Sequence, residues 1–112
     1  MKWPNDVDGD VFRRLEEHGF NFDTVCEIDF NIDFNSWPLD TETIASIRNL
    51  YPTIEIIEPD EEDLEDGDNI GYLQFQIVDK LTYDLVIKVQ RDVTEKVTQY
   101  GGRCESWGAY QN

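Results

Sequence analysis

Residues Cys26 to Phe34 read CEIDFNIDF and alternate without a break. Cys26, Ile28, Phe30, Ile32 and Phe34 point one way, and Glu27, Asp29, Asn31 and Asp33 point the other. A period of two is the signature of a β-strand with one buried face and one face turned to water or a partner. Three carboxylates share the second face, so the strand that decides the fold also supplies the first candidate for a site.

The segments on either side supply helices. Asp6 or Asp8 can cap a helix running from about Gly9 to His18, and a second acid in the first turn suits the positive end of the helix dipole. Val11, Phe12 and Leu15 form its apolar stripe, Gly19 closes it, and Trp3 in the preceding arm is free to dock. Beyond the strand, Asn35, Ser36 and Pro38 punctuate the chain. Asp40 then caps a helix over roughly Thr41 to Leu50, with Ile44, Ile47 and Tyr51 on one face and Pro52 as the stop.

Ile54 to Ile57 makes a short second strand. Glu58 to Asp68, EPDEEDLEDGD, carries eight acids and no base, and such a self-repelling run predicts an exposed loop turning at Gly67. Asn69 to Asp79 is a third strand, with Leu73, Phe75 and Ile77 on one side and Tyr72, Gln74, Gln76 and Val78 on the other. Thr82 to Tyr100 is rich in Val and Thr, which prefer strands. However, Leu85, Val89, Val93 and Val97 recur every four residues, and Gly101-Gly102 supplies a stop, so the stretch predicts a helix. Arg103 to Tyr110 is the last strand.

The predicted order is a helix followed by β-α-β-β-α-β, without a repeat or linker, in one domain over residues 1–112. Two crossovers of the same hand joined by a hairpin give an α+β, ferredoxin-like sandwich. Its four-stranded antiparallel sheet has the order 4-1-3-2, with helices on one face and the Cys26–Phe34 strand central. The extra N-terminal helix can sit with the other helices or on the open sheet face.

With 9 basic against 25 acidic residues, the net charge is −16. Direct nucleic-acid binding needs clustered Lys and Arg, and an anionic membrane surface repels the same charge. The partner class left is cationic: a basic protein segment, or a metal ion. No signal pattern or membrane-length apolar run is present, and two widely separated cysteines fit a soluble cytoplasmic protein with reduced thiols.

No catalytic grouping assembles around the one histidine, His18, which falls at a helix end. Cys26 and Cys104 have inward parity and start antiparallel neighbouring strands, so they are expected in the core toward opposite ends, unbridged. Aligning an EF-hand glycine with Gly67 puts Leu64 at the third ligand position, and aligning it with Gly9 puts Pro4 at the first. Side chains two apart on a strand are about 6.6 Å apart, wide for one ion. Neither a metal nor a cofactor is expected.

The expected binding surface is the open sheet face, where Glu27, Asp29 and Asp33 lie beside Tyr72. Trp107 has the parity of Glu105 and Ala109, opposite to Cys104, which places it on the same face; the alternative is that it packs under the first helix. Carboxylates interleaved with aromatics suit an Arg-rich segment. Asp60, Glu61, Glu62 and Asp63 in the acidic run would steer such a partner at long range.

Two segments carry a family resemblance. One is DGDVFRRLEEHGFNF, Asp8 to Phe22. The other runs from the EDGD turn, Glu65 to Asp68, through a strand and a long helix to a last strand carrying ESWGAY, Glu105 to Tyr110. Together they resemble the regulator of ribonuclease E activity B family of small acidic bacterial proteins. That resemblance implies a ferredoxin-like, non-enzymatic protein that binds ribonuclease E away from its catalytic chemistry and lowers RNA cleavage. The same physics would serve an immunity protein that neutralises a cationic toxin.

Overall fold

The computed structural model describes residues 3–67 and 70–111, with the side chain of Asp63 outside that description. Asp6 is the first cap: its carboxylate accepts the Gly9 amide at 2.6 Å and opens α1, Val7–Glu17. Phe12 is the fully buried anchor of this helix, and His18 is its exposed C-cap. β1 runs Val25–Phe34, and Asp40 caps α2, Thr41–Leu50, by accepting the Thr43 amide. β2 is short, Glu55–Ile57. Within the acidic run the chain forms a five-residue helix, α3, Glu61–Glu65, where an uninterrupted loop was expected. Acids crowded at a helix start are favoured by its dipole, which offsets part of their repulsion. β3 runs Tyr72–Lys80; Asp68 and Asn69, expected in the turn and the third strand, lie outside the described residues.

α4, Tyr83–Val97, settles the Val- and Thr-rich stretch as helix, capped by Thr82 and extended by one 3-10 turn to Tyr100. Gly101 adopts the left-handed conformation that ends it, at φ +75°, and β4 follows, Gly102–Tyr110.

The strand order is β2-β3-β1-β4, with β1 antiparallel to both β3 and β4 and β2 antiparallel to β3. This is the ferredoxin-like α+β arrangement read from the sequence. The apolar side of β1 is the core: Ile28, Phe30 and Ile32 are 0% exposed. Burying a side chain of this size stabilises by roughly 1.5–3 kcal/mol. Phe30 stacks on Phe75, and so does Tyr51 at the end of α2.

The extra helix joins the helix layer. Phe12 packs against Tyr83 at the start of α4, against Trp107 of β4, and against Trp3 and Phe22. Asp8 accepts hydrogen bonds from Gln90 of α4 and from Trp107. The opposite sheet face is left to the solvent side of β1.

Candidate functional site

Antiparallel register fixes what surrounds each outward side chain of β1. Glu27 lies between Val78 and Tyr110, Asp29 between Gln76 and Gly108, Asn31 between Gln74 and Ser106, and Asp33 between Tyr72 and Arg103. Glu27 is exposed, while Asp29 and Asp33 are half-buried. The middle row is closed on itself: Gln74 donates to Asn31 Oδ1 at 2.9 Å, and Asn31 Nδ2 donates to Ser106 Oγ at 3.0 Å. This neutral rung separates the acids into an Asp29–Glu27 end and an Asp33 end.

At the Glu27 end, Val25, Val78 and Tyr110 are among the most exposed large apolar residues and line a cleft of about 510 Å³. Tyr110 folds back over Gly108: a Cβ there would lie 3.2 Å from the tyrosine hydroxyl, so even a methyl group at 108 would make the ring shift slightly. Asp29, paired with Gly108, has one oxygen, Oδ1, that is enclosed and accepts no hydrogen bond among the described residues. At the other end, Asp33 and Tyr72 line a cleft of about 550 Å³ with Ile57, Glu58, Asp60 and Arg103.

Of the predicted surface, therefore, Glu27, Asp29, Asp33 and Tyr72 share one face, and Asp60 meets Asp33 and Tyr72 at its end. Glu61 and Glu62 are exposed on α3, which begins directly after Asp60 of that cleft, and the side chain of Asp63 lies outside the described residues.

Trp107 corrects the expectation. Between Asn31/Ser106 and Asp33/Arg103, β1 advances two residues while β4 advances three. That β-bulge inverts the parity of β4, so Cys104 before it and Trp107 and Ala109 after it all face the helices. The Thr94 hydroxyl of α4 satisfies the bulge, accepting the Cys104 amide at 2.9 Å. Trp107 packs on Phe12 and donates from Nε1 to Asp8 at 2.9 Å, so it belongs beneath α1 and not on the open face.

Residues 5–109 match the family described as regulator of ribonuclease activity B. The chain belongs to that family. A search of the curated proteins finds no match. The matched span takes in α1, the whole sheet and both clefts. In this regulator of ribonuclease activity B family member, the final strand joins the two sides of the sheet: Trp107 fastens α1 from below, while Gly108 and Tyr110 shape the open face above.

Two contributors to that face escaped the sequence reading. Glu55 of β2 pairs with Gln74 and adds a carboxylate at the edge, and Arg103 of β4 adds a cation. Arg103 donates to Asn35 Oδ1 at 3.1 Å and lies 3.7 Å from Glu105. Both carry the period-two parity that would have placed them there: Glu55 lies between Ile54 and Ile56, and Arg103 precedes the inward Cys104 before the bulge is reached.

The thiols lie elsewhere. Cys26 and Cys104 are buried and free, at opposite ends of the sheet. Burial raises both, Cys104 to about 12, with the charges of Asp33, Asp8 and Glu105 adding to it. Thiols held so far from ionisation are poor nucleophiles. Among the described residues no three His, Cys, Asp or Glu side chains converge as a metal-binding group, and no helix is long and apolar enough to cross a membrane.

Proposed function

We propose that this chain regulates a ribonuclease by contact, docking a basic segment of ribonuclease E on the open face of its sheet and lowering RNA cleavage without chemistry of its own. The observation that carries this reading is where α1 lies. It packs against α4 and Trp107 on the helix side, so Glu27, Asp29 and Asp33 stay uncovered. A chain of net charge −16 presents there the complement of the cationic surface that RNA needs. Occupying that surface removes RNA's own docking site.

Each exposed ion pair contributes only about 0.2–1 kcal/mol, so binding depends on several at once and weakens as salt screens them. The acids of α3 and Asp60 raise the rate of encounter more than the lifetime of the complex. Membership of a family of ribonuclease regulators supports this partner over a cationic toxin. Both free thiols accord with a reducing, cytoplasmic setting.

The test is cleavage of an RNA substrate by purified ribonuclease E with increasing amounts of this chain. Cleavage slows in proportion to the chain added, and the effect fades with added salt. Undiminished cleavage at low salt with the chain in large excess would rule the reading out.

A further inference from the structure

The geometry points to two separate anchor points on the open face, one at each end of β1, that together select an extended basic segment with cationic side chains six residues apart. This rests on the docking reading above and specifies its ligand. Glu27 and Asp33 are six residues apart on one strand, a span of about 20 Å at ~3.3 Å per residue. Six is even, so in an extended ligand residues i and i+6 also point the same way.

The two ends differ in chemistry. The Glu27 cleft has apolar walls, with Val25 58%, Val78 65% and Tyr110 58% exposed, around an exposed carboxylate. That combination fits one long cationic side chain, its methylene stem lying on Val78 and Tyr110 and its head on Glu27. The Asp33 cleft offers a second carboxylate beside the ring of Tyr72, with Glu58 and Asp60 on its rim. A guanidinium stacked on that ring is placed to pair with Asp33.

Asp33 forms no ion pair among the described residues, because Arg103 next to it is tied to Asn35 and Glu105. Between the ends, the Gln74–Asn31–Ser106 rung spends its polar groups on internal hydrogen bonds and carries no charge. A ligand cation over that rung gains nothing from it, which is why spacing matters as well as total charge.

The experiment is a titration of the 15N-labelled full chain, followed by amide shifts at low salt, with two 12-residue peptides of identical composition. One carries arginines at i and i+6; the other carries the same two arginines adjacent. The expected result is about twofold to fivefold tighter binding of the spaced peptide, the gain from the second anchor, since adjacent arginines still reach one. The shifts fall around both Glu27 and Asp33. Glu27→Gln costs the spaced peptide one anchor and silences the shifts at that end alone. Val78→Ser, which leaves the charge unchanged, weakens it as well by removing the wall for the stem. Equal affinity of the two peptides for the open face would overturn the two-anchor account and leave docking by charge alone. Failure of both peptides to shift the open face would overturn docking there altogether.

Discussion

Replacing Trp107 by alanine destabilises the fold by about 3 kcal/mol and leaves partner binding unchanged. A fully buried tryptophan truncated to alanine costs about 3–5 kcal/mol; Trp107 is half-buried, so the lower end applies. Its ring packs on Phe12 with centroids 5.2 Å apart, and an aromatic pair of this kind contributes about 0.5–1.5 kcal/mol beyond area. Its indole N–H donates to the Asp8 carboxylate at 2.9 Å. Trp107→Phe keeps an aromatic ring against Phe12, though a smaller one, and removes the donor. Asp8 retains Gln90 at 3.2 Å, so the loss is about 1.5 kcal/mol, the lower range for a hydrogen bond to a charged group. Urea unfolding at constant m-value measures both. The reasoning fails if Trp107→Ala costs under about 1 kcal/mol while weakening capture of the ribonuclease segment, because that pattern belongs to a side chain on the open face.

Two further outcomes follow from titratable groups. The Tyr83 hydroxyl, and after it the Gly9 amide, hold the Asp6 carboxyl below its ordinary 3.8, while Tyr83 itself is pushed up to about 12, chiefly by the same hydrogen bond. A lowered folded-state carboxyl stabilises above its unfolded value and ceases to do so as pH falls through its folded value. Thermal melts should therefore show Asp6→Ala less stable than the parent at neutral pH, with the gap closing under acid conditions below the ordinary carboxylate range. With Cys104 at about 12, roughly one thiol in ten thousand is ionised at pH 8. A thiol reagent should label neither cysteine of the native chain within minutes and both once urea unfolds it; rapid native labelling of Cys104 would contradict its burial.

The helix caps and the buried face of β1 were legible because they depend on local chemistry. Asp6 and Asp40 cap where a short acid precedes an apolar stripe, and CEIDFNIDF sorts its side chains by a period that a central strand preserves. The four-residue recurrence of Leu85, Val89, Val93 and Val97 outweighed the strand preference of Val and Thr, since a helix face packed on the core contributes more than intrinsic propensity: Val93 and Val97 are buried, and Leu85 and Val89 are half-buried against them. What could not be read off was whatever depends on a second strand. The bulge opposite Ile32 exists only in the pairing of β4 with β1 and is satisfied by Thr94, ten residues upstream of Cys104. Counting parity along RCESWGAY therefore carried Trp107 to the wrong side. The position of α1 was likewise a matter of tertiary packing: Phe12 needs Trp107 and Tyr83 beneath it, and only the bulge brings Trp107 there.

That inversion matters for function, since it puts an aromatic under α1 and leaves the open face to carboxylates, amides, Arg103, the exposed Val25 and Val78, and the two tyrosines Tyr72 and Tyr110. The specificity expected of such a surface comes from the placement of few charges, because the helix side carries acids too: Glu42, Asp84 and Glu95 are all exposed there. Total charge alone would let either side bind.

The decisive measurement is the affinity of ribonuclease E for two triple variants of equal net charge. One neutralises the open face, Glu27→Gln with Asp29→Asn and Asp33→Asn; the other neutralises the helix side, Glu42→Gln with Asp84→Asn and Glu95→Gln. With each lost pair costing about 0.2–1 kcal/mol, the open-face variant should bind roughly tenfold more weakly than the parent, and the helix-side variant within about twofold of it. Equal weakening of the two would show that charge acts without a site, and weakening confined to the helix-side variant would place the partner on the other face of the sheet.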